Sequence, residues 1–394
     1  MAHPNTSDEA SSRLDEAQSL AADRRRYDEL TPLCLRSLVD SYDHGRSLFS
    51  HQLFQGRWCE VDEVYPHETL TSSCIALIGL ARAGIDFEAI GIDPEQTIDA
   101  VVGEVHRTGY LGGVGLLIWA NAVVDGRRDV ASLLRDAGST IEQLSDDLLP
   151  SLTTMETAWT ASGLLHEVAR SGDVETRRAA AAAVTELRTN RYSGSTRLMR
   201  HAGSGASAVH RARGHIANFA DQIYSVQAFA FAAIVLDDAA AKGVGAALTA
   251  RHCELQGPLG QWWWHYDAGR GHVALRYAVY SVHQHGMAPM ALAAATAATG
   301  TDHRSEMSAS LRWLDTNELG TSMVDSDRST VWRSIERVEP AVVSKVRGAL
   351  EALGASDERD ADVVLNQETR PYEWAWCLYA AAIVNDIPKG RSIV

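Results

Sequence analysis

Hydrophobic positions along the chain cluster in six stretches where large apolar residues mix with alanine, glycine and serine: 69–83, 112–124, 154–169, 222–236, 287–299 and 372–384. Each follows a turn signal and reads as a helix that is apolar on most of its sides. Between and after them lie more polar helical stretches, 94–105, 140–149, 174–187, 240–255, 304–314 and 340–353, with one apolar stripe each. Alternating runs of β-branched residues are scarce, so the chain reads as all-α. A helix buried all round belongs to an inner layer, and a one-striped helix to an outer one. The alternation therefore predicts an α/α toroid of about six inner and six outer helices, an arrangement met in helical repeat folds. An open α-solenoid is the competing arrangement. Spacing between the units is irregular, so the repeat is one of architecture.

Composition narrows this picture. At 394 residues, with 45% hydrophobic and 22% charged, the chain is ordinary for a globular protein with a large core. A net charge of −15 argues against general binding to nucleic acid. The cysteines Cys34, Cys59, Cys74, Cys253 and Cys377 are scattered and form no CxxC pair, so neither a disulfide framework nor a thiolate zinc site is expected. Residues 1–26 are polar, with Arg24, Arg25 and Arg26 followed by no apolar run; they read as a disordered tail before a single toroid domain at 27–388. No apolar run is long enough to span a membrane, and a cytoplasmic location is expected. From Leu187 to Ala220 there is no acidic residue, and 189–214 reads as a basic, Gly/Ser-rich mobile loop. It either steers an anionic ligand or pairs its arginines with neighbouring acidic helices.

The chemistry concentrates in Gln256-Gly-Pro-Leu-Gly-Gln-Trp-Trp-Trp-His-Tyr-Asp267 and Tyr280-Ser-Val-His-Gln-His-Gly-Met287. Three successive tryptophans cannot all face one core, so at least one indole is expected in a cleft. His265, Tyr266 and Asp267 adjoin the run, and His283, Gln284 and His285 follow it. Other polar and aromatic groups recur at the starts of the apolar helices: His67-Glu68; Glu156 with Trp159; Asp221 and Gln222 with Tyr224; Trp332-Arg333; and Arg370 to Glu373 with Trp374. In a closed ring these starts converge on one mouth, which is a site signature. Taken singly, each has a plainer explanation: Glu68 and Glu156 suit helix N-termini, and a lone histidine is most often structural. The spacing of His283 from His285, and of His265 from His272, matches no fixed metal-ligand pattern, so no metal and no cofactor are expected.

Gln256, Gly260 and Trp262 fit the QxxxGxW motif, and on it the chain resembles the terpenoid cyclase and protein prenyltransferase toroids. That resemblance implies that Gln256 and Trp262 are structural braces. The general-acid DxDD motif is missing: Leu144-Ser-Asp-Asp147 and Val235-Leu-Asp-Asp238 carry only its acidic pair, and no DDxxD motif occurs. The stretch from Gly260 to Asp267, followed by Ser281 to Leu292, is also similar to the six-hairpin glycosidases and glucuronyl C5-epimerases. That likeness implies a sugar-binding cleft in which indole faces stack on sugar rings.

The first expectation is thus an enzyme acting on an acidic carbohydrate, as a uronate-type lyase, epimerase or hydrolase. The catalytic candidates are Asp267, His283, His285, Tyr266 and Glu156. The candidates for substrate binding are Trp263, Trp264, His265, Tyr280, Gln284, Asp221, Gln222, Arg333, Arg370 and Glu373. Proton abstraction beside a carboxylate needs a base and cations, whereas glycoside hydrolysis needs two carboxylates. The alternatives are a terpenoid cyclase-like enzyme acting on an isoprenoid, with carbocations held over aromatic rings, and a non-catalytic scaffold for a glycan or lipid carrier. The expected partner is a small-molecule or glycan substrate, anionic in character.

Overall fold

The computed structural model describes residues 6–54, 56–59, 68–203, 205–206, 211, 213–340, 343, 346–348, 350, 362–386 and 392–394. Six inner helices, Glu68–Arg82, Val114–Val123, Thr154–Ser171, Phe219–Val235, Ala288–Thr299 and Pro371–Asp386, each pack on the next, and the last packs on the first. The ring therefore closes, and the fold is an α/α toroid rather than an open solenoid. In the first inner helix every residue from Thr69 to Leu80 is buried. That is the environment an all-round apolar helix needs. Small residues let the helices approach closely. A methyl group built on Gly79 would overlap the Ala375 carbonyl at the closing seam, and one on Gly163 would overlap the Gly115 carbonyl.

The outer layer contains Pro94–Thr108, Val130–Asp136, Val174–Glu186, Ala239–Glu254 and Arg304–Thr316. The stretch expected to be one outer helix at 140–149 is instead two short helical pieces around a π-turn at Leu144–Leu148. The outer helix expected at 340–353 lies largely outside the described residues. Its place against the sixth inner helix is taken by Thr6–Asp40. This corrects the expectation of a disordered tail at 1–26, since the helix runs through residues 6–26. Tyr27, Leu30, Cys34 and Leu38 form a fully buried stripe at helical spacing. Arg26 pairs with Asp315 at 2.7 Å, and Asp23 accepts a hydrogen bond from Ser308, so the stripe and its polar flank extend the helix backward.

Four hairpins of one design lead from outer to inner helices: Tyr42–Asp43 with Leu48–Phe49, Tyr192–Ser193 with Leu198–Met199, His265–Asp267 with His272–Leu275, and Val324–Asp325 with Thr330–Val331. In each, the residue before the returning strand is left-handed: Ser47 (φ 55°), Arg197 (φ 59°), Gly271 (φ 80°) and Ser329 (φ 51°). An aspartate opens three of the four turns. Asp43 accepts from the Gly45 and Arg46 amides, Asp267 from Gly269 and Arg270, and Asp325 from Arg328. Such Asx turns satisfy amides that a tight reversal leaves without ladder partners.

Candidate functional site

A cavity of about 300 Å³ lies at the end of the ring where the inner helices begin. The first inner helix lines it with Glu68, Thr71 and Ile75; the third with Met155 and Trp159; the fourth with Ala220 and Tyr224; and the sixth with Tyr372. A π-turn, His283–Met287, precedes the fifth inner helix and supplies His283 and Met287, with Val282 just ahead of it. Tyr110 enters from the loop before the second helix, and Trp264, Tyr280, Arg333 and Arg370 from the hairpins and short strands at the mouth.

Charge is concentrated on one side. Arg333 Nη1 donates to Glu373 Oε1 at 2.9 Å and to Tyr372 Oη at 3.3 Å, and its guanidinium lies 5.1 Å over the Tyr280 ring. Arg370 Nε donates to Glu368 at 2.6 Å, and its Nη1 lies 3.7 Å from Glu68. Burial works against the Arg333 charge, but Tyr372, Glu373, Tyr280 and Glu368 outweigh it and hold the guanidinium firmly protonated. Burial lifts the Glu373 carboxyl above the usual range despite Arg333 and Arg370. Tyr372 is pushed up to about 12, chiefly by burial.

His283 is 2% exposed, with its ring stacked 4.0 Å from Phe219 and 5.5 Å from Trp264. Burial first, then the nearby Arg333 and His252, hold its pKa well below the ordinary histidine value. The imidazole is therefore neutral at physiological pH, and its Nδ1 meets no hydrogen-bond partner among the described residues. Tyr110 lies three places round the six-helix ring from this turn, and its hydroxyl donates to Glu156 at 2.7 Å.

The structure thus brings Trp264, Tyr280, His283, Arg333 and Arg370 together around the cavity. Glu156 and Glu373 stand one contact behind the lining, beneath Tyr110 and Arg333. Glu156 also closes a capping box with Thr153. The remaining sequence candidates do not line the cavity. Asp267 is fully buried in its hairpin turn and is paired with Arg270 at 2.9 Å. Tyr266 is fully buried and accepts a hydrogen bond from the Trp263 amide, while Arg276 lies over the Trp263 ring. His265 pairs in the strand ladder with Asn218 and Leu275. Gln284 holds the Trp262 amide and the Tyr280 carbonyl, and Gln222 holds both backbone groups of Met199. Asp221 caps its helix and binds His201 at 2.8 Å. His285, also fully buried, lies behind the cavity wall beside Cys377.

Trp262 and Gln256 both make structural contacts. The Trp262 indole stacks on His252 at 5.0 Å and donates to Ser310, while Gln256 donates to the Gly260 and Glu306 carbonyls. Several arginines of the basic segment also serve structure: Arg188 meets Asp238, Arg191 is buried against Glu186 and the Leu149 and Leu152 carbonyls, and Arg197 meets Glu254. Residues 204, 207–210 and 212 of that loop, and His67, lie outside the described residues.

Sequence reasoning missed Tyr110, Thr71, Ile75 and Ala220 of the lining, which carry no motif. One overlooked signal is the hairpin repeat. His51, His201 and Arg333 each stand two residues beyond the returning strand and meet Glu68, Asp221 and Glu373 in the first turn of the following inner helix. Among the described residues, no cluster of three or more histidine, cysteine or acidic side chains could hold a metal ion, and no helix is long and apolar enough to cross a membrane.

No protein-family model and no curated protein matches the sequence. Solved structures do resemble it. An unsaturated glucuronyl hydrolase specific for heparin aligns over 93% of this chain and 98% of its own, with TM-score 0.59 and 11% identity. The cellobiose 2-epimerase of Spirochaeta thermophila aligns over the same shares with TM-score 0.59 and 12% identity. A sugar epimerase from a ruminal bacterium covers 95% of this chain and 100% of its own, with TM-score 0.58 and 11% identity. At these identities the likeness establishes the fold: the chain is an α/α toroid of the kind these enzymes share.

Proposed function

We propose that the protein is an enzyme acting on an anionic carbohydrate of uronate type, moving a proton at the carbon beside the carboxylate. The observation that carries this reading is His283, with Nδ1 unpartnered among the described residues, in the wall of the same cavity as Arg333 and Arg370. The imidazole would take the proton, and the electron pair would move onto the carboxylate as an enediolate. Arg333 and Arg370 would stabilise that charge. Tyr110 stands across the ring from the base. It would return a proton to the opposite face, inverting the carbon, unless a substituent one carbon further is expelled first, as in a lyase.

The names of the structural neighbours, glucuronyl hydrolase and sugar epimerase, fit a sugar substrate. Hydrolysis with two carboxylates has less support. Glu68 lines the cavity, but Glu156 and Glu373 are committed to Tyr110 and Arg333. The charged side of the cavity also opposes a pocket for a bare isoprenoid. The test is exchange into deuterated water: glucuronate-containing oligosaccharides should acquire deuterium beside the carboxylate with the native protein and not with His283→Gln. Release of sugar without exchange would replace this reading with hydrolysis. Binding without either would leave the non-catalytic scaffold.

A further inference from the structure

The cavity changes character with depth. At the mouth, Glu68, Arg370 and Arg333 keep 25%, 16% and 11% of their side-chain surface exposed. Deeper along the inner helices and the π-turn lie Ile75, Trp159, Tyr224 and Met287, all at 4% or less. Ile75 is seven residues beyond Glu68, about 10 Å along a helix axis; Trp159 and Tyr224 are each one turn, about 6 Å, beyond Met155 and Ala220, and Met287 closes the π-turn that His283 opens. The cavity thus has a charged rim and an apolar floor.

The floor offers few groups to hydroxyls. Ile75 and Met287 have no hydrogen-bonding group of ordinary strength. The Tyr224 ring packs on the Trp159 and Trp376 rings, centroids 5.6 and 5.9 Å apart, and the Tyr224 hydroxyl and Trp159 N–H are the polar groups there, close to each other. A sugar ring pressed to this depth would lose water from several hydroxyls and regain few partners. A flat or branched apolar group would bury its surface against two aromatic rings and a pliable methionine.

We infer that the ligand is amphiphilic: its anionic head sits at the Arg333 and Arg370 rim, and a compact apolar body, an aryl or short acyl group, fills the floor. This rests on the functional reading above for the nature of the head; with a uronate head, the ligand class is an aryl or acyl glycuronide.

Three probes separate the two ideas on the full chain: glucuronate, phenyl β-glucuronide and benzoate, with affinity followed by calorimetry. Phenyl β-glucuronide is expected to bind at least tenfold more tightly than glucuronate. That preference should shrink to within threefold in Met287→Gln, or in Ile75→Thr should the first variant not fold. Equal affinity of the native protein for the two sugars overturns the amphiphilic ligand and leaves the carbohydrate reading standing. If neither sugar binds, the carbohydrate reading falls and benzoate, an anion with an apolar body and no sugar, decides. Benzoate binding that is weakened in both Met287→Gln and Arg370→Met upholds the floor and rim; no benzoate binding overturns them.

Discussion

Two stretches thirteen residues apart, Trp262–Asp267 and Tyr280–Met287, look equally chemical on paper and serve different ends in the fold. In the first, the fully buried Asp267 closes a hairpin turn and Trp262 braces two outer helices through His252 and Ser310. Only Trp264 reaches the cavity. In the second, a π-turn at the head of an inner helix turns His283 and Met287 inward while His285 faces back toward Cys377. A polar side chain that already satisfies backbone amides is committed to the fold. One that keeps a ring nitrogen unpaired, such as His283, which bonds the Trp262 backbone but leaves Nδ1 without a partner among the described residues, holds a polar group for a ligand.

The sharpest way to break this contrast is at the base. His283→Gln should lower turnover on a uronate substrate by about 10²–10⁴-fold, the range for a lost general base. Its circular dichroism should remain native. A fully active variant would sink the assignment. Next is the ion pair beneath the rim. Arg333→Met leaves the buried Glu373 without its main partner and should cost about 3–5 kcal/mol in denaturant unfolding. Adding Glu373→Gln should recover part of that loss. No recovery would show that the two groups are not coupled.

The first stretch should respond in stability alone. Asp267→Ala removes an acceptor of two turn amides and should cost about 2 kcal/mol. Turnover per folded molecule should stay within a factor of two. Asp43→Ala and Asp325→Ala, at the same place in sister hairpins, should behave alike; a selective loss of activity in Asp267→Ala would return that residue to the site.

The smallest effect is in pH dependence. Burial holds His252 near 3 and His166 near 4, and depresses His283 as well. Below the unfolded value near 6.5 the unfolded chain takes up protons that the native state refuses. Stability is therefore full above that value and falls toward acid, by up to about 1.4 kcal/mol per pH unit for each group. His201 has the opposite sign: Asp221 raises it, so its contribution is complete below the unfolded value and fades as pH rises through the folded one. His252→Phe should make the acid limb of a stability–pH curve shallower by one proton; an unchanged slope would show that His252 is charged in the fold.

Much of this molecule can be read from its amino acids. The six apolar stretches become the six inner helices within a few residues, because a helix with no polar face has nowhere to go but an interior. Part of the cluster of polar and aromatic residues at the helix starts shares one cavity: Glu68, Arg333, Arg370 and Tyr372 at its rim and Trp159 and Tyr224 at its floor, while Asp221, Gln222 and Trp374 stay out of it. The N-terminal helix was less legible. Its polar residues Asp23 and Arg26 are held by contacts with Ser308 and Asp315, far away in the chain.

The sequence by itself determined the two layers of inner and outer helices, since both follow from the local hydrophobic pattern. Tertiary structure alone decided which polar groups face the cavity. That choice depends on which amides and charges the packing of hairpins on helices brings within hydrogen-bond reach. Arg333 meets Glu373, Gln222 meets Met199 and Asp221 meets His201 only once each hairpin folds back onto the helix that follows it. Closure of the ring gives the cavity its apolar floor, from Ile75, Trp159, Tyr224 and Met287 on four separate parts of the chain.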